Sequence, residues 1–275
     1  MRKAYVDGPF GQIHVQIWGG GSTTMVRTDA DGCPPPLICL PPAPYSSVAL
    51  NTLAPLLADE RTVIGLDYPG HGGSESGSRP ASIEDYAAAA ACVARTLSPD
   101  RPVNLFGFHS GCLVAVETAI SHPDCVDKLV LVDIPFFDTE TRAKFCEQTP
   151  NPVAISQDFE MLQSAWEFSV TQRLNQMTVA RGYELFSDHI RLGASMNIAY
   201  HAAFGYDVDS RFPTTPKETL IVATQSGLLD GTRTAANAIP QSTLLEVLDI
   251  TSGVIENSAA KLVEAMQAEF RLKNI

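Results

Sequence analysis

The sequence lacks any run of about 18 apolar residues, so no membrane-spanning helix is predicted. Met1-Arg2-Lys3 leads straight into polar, strand-like sequence, and we therefore expect no signal peptide. The six cysteines form no C-x-x-C pair, which argues against a zinc site, and several lie in apolar segments. Free thiols of this kind are typical of a reducing compartment, so the cytoplasm is the predicted location.

Basic residues are also scarce. Lysine and arginine total 19 against 31 aspartate and glutamate residues, which gives a net charge of −12. This balance argues against nucleic acid or an anionic membrane as a partner. The acidic residues are spread along the chain, which favours a role in solubility. A small molecule is the expected partner, and a homodimer is the assembly considered.

Strand-like and helix-like segments alternate through most of the chain. Residues 4–18 predict two strands around the turn at residues 8–11. Short apolar runs follow at residues 37–40, 63–67, 128–134, 219–223 and 244–248. Such runs are typical of parallel strands that are buried on both faces, and helices are predicted between them. The pattern predicts an α/β fold with a mostly parallel central sheet and helices on both faces.

Residues 136–216 interrupt this alternation. Apolar side chains recur there with helical spacing, for example Phe159, Leu162, Trp166 and Val170. The segment predicts a helical cap over the carboxyl ends of the strands, where open α/β sheets bind ligands. We therefore divide the chain into an α/β core, residues 1–135 and 217–275, and a cap insertion, residues 136–216.

The stretch at residues 103–117 predicts a buried strand, a tight turn and an apolar helix. Gly107 and Gly111 bracket the turn, where a sharp change of direction requires small side chains. Further matching segments are residues 63–74, 122–126 and 129–133. In order and spacing these segments resemble the α/β-hydrolase fold superfamily over nearly the whole chain. The resemblance implies the α/β-hydrolase fold with a helical cap, on which many different reactions are built.

The superfamily pattern implies a nucleophile at the centre of this turn, an acid after a later strand and a histidine after the last strand. The central position here holds His109, followed by Ser110, as in a subset of the superfamily with Gly-x-His-Ser/Thr-Gly turns. The loop after the last predicted strand, residues 249–256, has no histidine, and none occurs after His201. A Ser-His-Asp triad in the usual chain order therefore cannot be assembled.

His109 is the predicted catalytic residue, as a general base or a nucleophile, because a neutral imidazole can serve as either near neutral pH. Asp133 is the first candidate for an acid that orients it, since it resembles the acid of the cofactor-independent dioxygenases on this fold. Asp230 lies where the superfamily's acid more commonly sits, and Asp249 is a third candidate. Ser110 is an alternative nucleophile, activated by its neighbour.

The oxyanion site has few candidate donors. Pro41 and Pro42 stand where the superfamily usually has His-Gly, and proline has no N–H. The backbone amides of Ala43 and Ser110 remain as the predicted donors. Cap side chains that are further candidates to reach the site are His189, Arg191, Tyr200 and His201. His71 and His122 fall in turn motifs and are expected to be structural, and His14 belongs to a predicted strand far from the elbow.

Three functions remain open at this stage. The first is an enzyme acting on a small, partly hydrophobic ester, lactone or carbon–carbon bond, with His109 as base or nucleophile. The second is a cofactor-independent lyase, isomerase or oxygenase that uses His109 with Asp133 to abstract a proton. The third is a non-catalytic small-molecule binding protein derived from a hydrolase. The resemblance to the α/β-hydrolase superfamily favours the first function. No metal or other cofactor is predicted.

Overall fold

A computed structural model describes residues 1–19, 34–59, 61–155 and 157–273, with side chains up to residue 269. Cys33 lies outside the described residues, and the other five cysteines are free thiols. Among the described helices, none combines the length and the apolar character needed to cross a bilayer. The described residues also contain no cluster of three His, Cys, Asp or Glu side chains suited to a metal ion.

Eight strands are present in the described chain: β1 (Arg2–Gly8), β2 (Gly11–Trp18), β3 (Leu37–Leu40), β4 (Val63–Leu66), β5 (Val103–Phe108), β6 (Val126–Val132), β7 (Thr219–Thr224) and β8 (Ser242–Val247). They form one sheet in the order β1-β2-β4-β3-β5-β6-β7-β8. The strands from β3 to β8 pair parallel with one another, whereas β2 pairs antiparallel with β1 and β4. The predicted mostly parallel sheet is confirmed.

The described α-helices are α1 (Ala54–Leu57), α2 (Ile83–Leu97), α3 (Ser110–Ser121), α4 (Thr139–Gln148), α5 (Glu160–Ser169), α6 (Val179–Ile190), α7 (Ile198–Gly205), α8 (Val208–Arg211), α9 (Leu229–Ala238) and α10 (Ala259–Lys273). The start of α2 follows from its local sequence. Ser82 Oγ accepts the Asp85 N–H, and the Asp85 carboxylate accepts the Ser82 N–H. This reciprocal pair satisfies two backbone donors at the helix N-terminus.

The two faces of the sheet carry separate hydrophobic clusters because successive side chains of a strand point to opposite sides. In β3, Ile38 and Leu40 join the cluster that contains buried residues of α2, α3 and α9. Leu37 and Cys39 join the second cluster, which contains buried residues of α10. Helices therefore cover both faces, as the sequence predicted.

The five helices α4 to α8 lie between β6 and β7, and we call them the helical insert. Two side chains of α6 make polar contacts with the core. The Asp188 carboxylate accepts the N–H and Oγ–H of Ser46 at 2.7 and 2.8 Å. The Arg181 guanidinium lies 2.9 Å from the Glu256 carboxylate and donates to the Val48 carbonyl at 2.8 Å. These contacts hold α6 at a defined place beside the strand ends.

The first apolar position of α5 differs from the predicted pattern. Phe159 directly precedes the helix and is 75% exposed, whereas Val170 at the other end is buried. The helix begins at Glu160, so Phe159 lies outside the turns whose side chains share a buried face.

Candidate active site

His109 occupies the turn between β5 and α3 in an unusual backbone conformation. Its φ and ψ are 51° and −121°, a combination that residues with a side chain rarely adopt. The His109 N–H donates to the Val132 carbonyl at 3.1 Å, and the His109 carbonyl accepts the Cys112 N–H at 2.9 Å. The strand on one side and the helix on the other thus hold the turn in place.

Gly107 and Gly111 permit this turn, as predicted. A Cβ atom at Gly107 would lie 2.6 Å from the Gly111 carbonyl oxygen. A Cβ atom at Gly111 would overlap the carbonyl oxygen of Leu40. Because both obstacles are backbone atoms, no side-chain rotation relieves them, and the turn requires glycine at both positions.

His109 lines a cavity of about 370 Å³. The core contributes lining residues that lie at or after the carboxyl ends of strands, namely Pro42, Ala43, Tyr45, Ala49, Phe108, Ser226, Gly227 and residues 251–256. The helical insert and its connections contribute Phe168, Gln172, Arg173, Gln176, Met177 and Leu185. The wall combines apolar side chains with polar ones, which suits a small, partly hydrophobic ligand.

The imidazole of His109 has no hydrogen-bond partner among the described residues. Its ring stacks on Phe108, with centroids 3.9 Å apart and planes inclined by 28°. Burial lowers the pKa of His109 to about 3, and the positive charge of Arg173 acts in the same direction. The ring is therefore neutral at neutral pH, and one of its nitrogens keeps a lone pair for chemistry.

The carboxylate of Asp133 is engaged by the end of β7. Its Oδ1 accepts the Thr224 N–H at 2.9 Å and its Oδ2 accepts the Thr224 Oγ1–H at 2.7 Å. Asp133 is fully buried, and this burial raises the pKa of its carboxyl group. The predicted pairing of Asp133 with His109 thus has no hydrogen bond among the described residues.

The other two carboxylates considered for His109 lie at the surface. Asp230, in the first turn of α9, has a side chain that is 98% exposed and lies 3.6 Å from the Arg233 guanidinium. Asp249 pairs with Lys261, and its side chain is 67% exposed. Neither carboxylate belongs to the described lining of the cavity. None of the three predicted acids therefore forms a hydrogen bond with the imidazole.

The two predicted oxyanion donors differ in their partners. The Ala43 N–H donates to Ser110 Oγ at 2.7 Å, so an oxyanion would have to replace that hydroxyl as its acceptor. The Ser110 N–H is at the first position of α3, where helix amides have no intrahelical acceptor, and no acceptor is present among the described residues. No hydrogen bond joins Ser110 to His109, so nothing in the described chain activates this serine through the imidazole.

The predicted side chains of the helical insert lie outside the described lining of the cavity: His189, Arg191, Tyr200 and His201. His189 is 7% exposed, and its ring meets those of Tyr45 and Phe168 edge-on, at centroid distances of 6.1 and 5.9 Å. Both nitrogens of His189 are buried without a partner in the described chain. Burial lowers the pKa of His189 to about 4. His201 lies 3.5 Å from the Cys146 thiol.

The three histidines that were not candidates for the site, His14, His71 and His122, lie in other parts of the core. His14 Nδ1 lies 2.7 Å from the buried Asp67 carboxylate. His71 is buried, with Nδ1 3.3 Å from the Pro69 carbonyl oxygen. His122 ends α3. None of the three belongs to the described cavity lining.

Sequence reasoning missed Arg173, which lines the cavity. No motif includes this residue, and the only signal in the sequence is weak: no Asp or Glu stands three or four positions away from it. Tyr45, Gln172 and Gln176 were also missed, because polar and aromatic residues of an irregular segment cannot be assigned to a cavity before the segment is placed.

Comparisons with known proteins agree with this geometry. Residues 35–151 match the model of a family described as alpha/beta hydrolase fold. Over 142 residues, half of this chain, the sequence is 29% identical to a serine hydrolase-like protein of Danio rerio, and the match spans 39% of that protein. This match over residues 35–151 agrees with the resemblance to the α/β-hydrolase fold superfamily that the sequence predicted.

Solved structures share the fold over the whole chain. An esterase from Thermogutta terrifontis, solved with malate bound, is 18% identical and superimposes with a TM-score of 0.71 over 99% of both chains. The enol-lactonase from Burkholderia xenovorans LB400 is 16% identical, with a TM-score of 0.74 over 98% of this chain and 100% of that one. At this level of identity the likeness concerns the fold.

Proposed function

We propose that this chain hydrolyses a small, partly hydrophobic ester or lactone in the cavity, with His109 as the reacting residue. The observation that carries the proposal is the place of His109: it stands at the elbow between β5 and α3, lines the cavity and has no hydrogen-bond partner in the described chain. The esterase and the enol-lactonase of the same fold support this class of substrate.

The environment of His109 favours nucleophilic attack over general base catalysis. A pKa of about 3 makes the ring a weak base at neutral pH, where efficient general bases have a pKa near the working pH. A nucleophile does not have to keep an abstracted proton, because its own N–H proton leaves with the alkoxide, so the lack of an acid partner in the described chain hinders it less than a general base. His109 is therefore proposed as the nucleophile, with the role of base as the alternative.

The proposed reaction consumes one water molecule for each ester bond. A ring nitrogen of His109 bonds to the acyl carbon, the bond from that carbon to the alkoxy oxygen breaks, and the imidazole N–H proton passes through solvent to the departing alkoxide. Water then cleaves the acyl-imidazole, which releases the carboxylic acid and restores the N–H. The amides of Ala43 and Ser110 would hold the oxyanion of each tetrahedral intermediate, with the oxyanion replacing Ser110 Oγ at Ala43.

The first prediction concerns the His109→Ala variant, assayed on a panel of short-chain esters and lactones. We expect kcat/KM to fall by at least about 10³-fold, since removal of a nucleophile costs this much or more. A His122→Ala variant, altered in a turn outside the cavity, serves as the matched control. Full turnover by His109→Ala on a hydrolysed substrate would contradict the proposal.

The pH dependence of the same assay gives a second readout. Because the pKa of His109 is lowered to about 3, its neutral form persists down to about that pH, and kcat/KM should be flat between about pH 5 and 8. An acid limb near the ordinary histidine pKa of about 6.5 would show that the ring is solvated rather than buried.

A non-catalytic small-molecule binding protein is the second candidate, for a specific reason. The Ala43 amide already has an acceptor in Ser110 Oγ, and no carboxylate of the described chain forms a hydrogen bond with His109. Ligand binding that persists in His109→Ala, without product from any ester or lactone, would favour this candidate. The cofactor-independent lyase, isomerase or oxygenase depended on Asp133 beside His109, and we do not put it forward because no hydrogen bond joins them.

A further inference from the structure

Arg173 presents a half-buried positive charge to the cavity that contains His109. It ends a short 3-10 helix, Thr171–Arg173, directly after α5. Its Nε–H donates to the Phe168 carbonyl at 3.1 Å. The guanidinium carbon lies 4.7 Å from the centroid of the Phe168 ring and 5.7 Å from that of Tyr45. These contacts hold the stem of the group and leave its two terminal nitrogens, Nη1 and Nη2, without a hydrogen-bond acceptor in the described chain.

Arg142 and Arg211 of the helical insert each have a carboxylate close by. Arg142 lies 3.1 Å from Asp209, and Arg211 lies 2.7 Å from the buried Glu117. No carboxylate of the described chain lies within ion-pair distance of Arg173. An unpaired cation is unexpected in a chain with a net charge of −12, in which acidic residues outnumber basic ones.

The acidic residue of the described cavity lining does not compensate for Arg173. Glu256 is the carboxylate of that lining, and its oxygens already accept from Arg181, at 2.9 Å, and from Thr52 Oγ1, at 2.7 Å. His109 is neutral at neutral pH because its pKa is about 3. The described wall therefore carries one uncompensated positive charge.

We propose that Arg173 binds a carboxylate on the substrate, so that the cavity selects small esters or lactones that carry a free acid group. This inference rests on the proposed function and names its substrate class. A guanidinium presents parallel N–H donors that match the two oxygens of a carboxylate. The single uncompensated cation of the described wall suits a group with one negative charge, whereas a phosphate with a charge near −2 would remain partly unpaired.

Binding of such a substrate would also change His109. Arg173 contributes to the low pKa of the imidazole in the empty cavity. A carboxylate on Arg173 cancels most of that charge, so the pKa of His109 rises and the ring becomes a better electron donor when the correct substrate is present. Substrates without the acid group would not produce this change.

The test compares two substrates that differ in one charge: monomethyl glutarate, with a free carboxylate, and dimethyl glutarate, with none. For the wild-type chain we expect kcat/KM for the acid ester to exceed that for the diester by about 10- to 100-fold, the value of a charge-assisted hydrogen bond. In Arg173→Met this ratio should collapse towards one, and in Arg173→Lys it should be intermediate. The control is Arg191→Met, which removes an exposed arginine of the same insert and should preserve the ratio.

Calorimetric titration with glutarate separates this inference from the hydrolysis itself. Glutarate has no ester bond, so its binding does not require turnover. At least about 10-fold weaker binding by Arg173→Met than by the wild type supports carboxylate recognition, even if no ester is hydrolysed and the proposed function fails. Equal glutarate binding by wild type and Arg173→Met, with no preference of the wild type for the acid ester, would overturn the inference even if hydrolysis is observed.

Discussion

Replacement of His189 by phenylalanine should stabilise the protein. His189 is 7% exposed, and neither ring nitrogen has a partner in the described chain. A buried polar group without a partner costs about 1–3 kcal/mol, which an apolar ring of similar shape avoids. Phenylalanine also keeps the edge-on ring contacts with Tyr45 and Phe168. We therefore expect the free energy of unfolding at pH 7.5 to rise by about 1–3 kcal/mol.

The gain in stability from His189→Phe should be larger at acidic pH. The pKa of His189 is lowered from 6.5 to about 4, so between these values the unfolded chain binds a proton that the folded chain does not. Stability of the wild type is therefore lost as the pH falls below 6.5, by about 1.4 kcal/mol per pH unit for this residue. At pH 5 the loss is about 2 kcal/mol, and it is absent in His189→Phe.

Urea denaturation of both proteins at pH 7.5, 6 and 5 measures this difference. Contributions from other groups, including the buried His71, are common to the two proteins and cancel in the comparison. A His189→Phe variant that is less stable than the wild type at pH 7.5, with an unchanged difference at pH 5, would refute the reasoning. It would mean that the imidazole is hydrogen-bonded in solution, for example by a buried water.

Two further predictions concern contacts around the cavity. Ser110→Ala removes the acceptor of the Ala43 N–H and frees this amide for an oxyanion. We therefore expect kcat for ester hydrolysis to rise by about fivefold, which corresponds to one hydrogen bond. A thousandfold loss of kcat would instead identify Ser110 as the nucleophile. Arg181→Met leaves the buried Glu256 carboxylate without its cation and should lower the free energy of unfolding by about 3 kcal/mol in urea titrations. A loss below about 1 kcal/mol would show that Glu256 is solvated and that α6 does not depend on this ion pair.

The elbow retains its backbone geometry although its central residue is a histidine. The positive φ of His109 and the close backbone contacts at Gly107 and Gly111 are properties of the turn, independent of the side chain that the turn presents. The chemistry depends on what surrounds that side chain. Among the described residues, the surroundings are the Phe108 ring, a mixed apolar and polar wall and the Arg173 cation, in place of a hydrogen-bonded acid and a second histidine.

The sequence by itself determined the fold. Apolar runs at β3, β4 and β6 specify strands buried on both faces, because their side chains have no other apolar environment to enter. The Ser82–Asp85 capping pair and the glycines of the elbow act within a few residues of the chain. The helix start and the tight turn that they produce can therefore be predicted without the tertiary structure. His109 could be placed at the elbow for the same reason.

Only the tertiary structure decided which groups surround His109. The Asp133 carboxylate accepts a hydrogen bond from Thr224, the Ala43 N–H donates to Ser110, and Arg181 pairs with Glu256. These three contacts join residues that are 91, 67 and 75 positions apart, respectively. Strand register and the packing of the helical insert determine each of these partners. The sequence around a carboxylate or an amide does not indicate which distant residue will contact it. The sequence alone could not show that Arg173 lacks a carboxylate partner. This became clear only when the structure showed that Glu256, the acidic residue of the described cavity lining, pairs with Arg181.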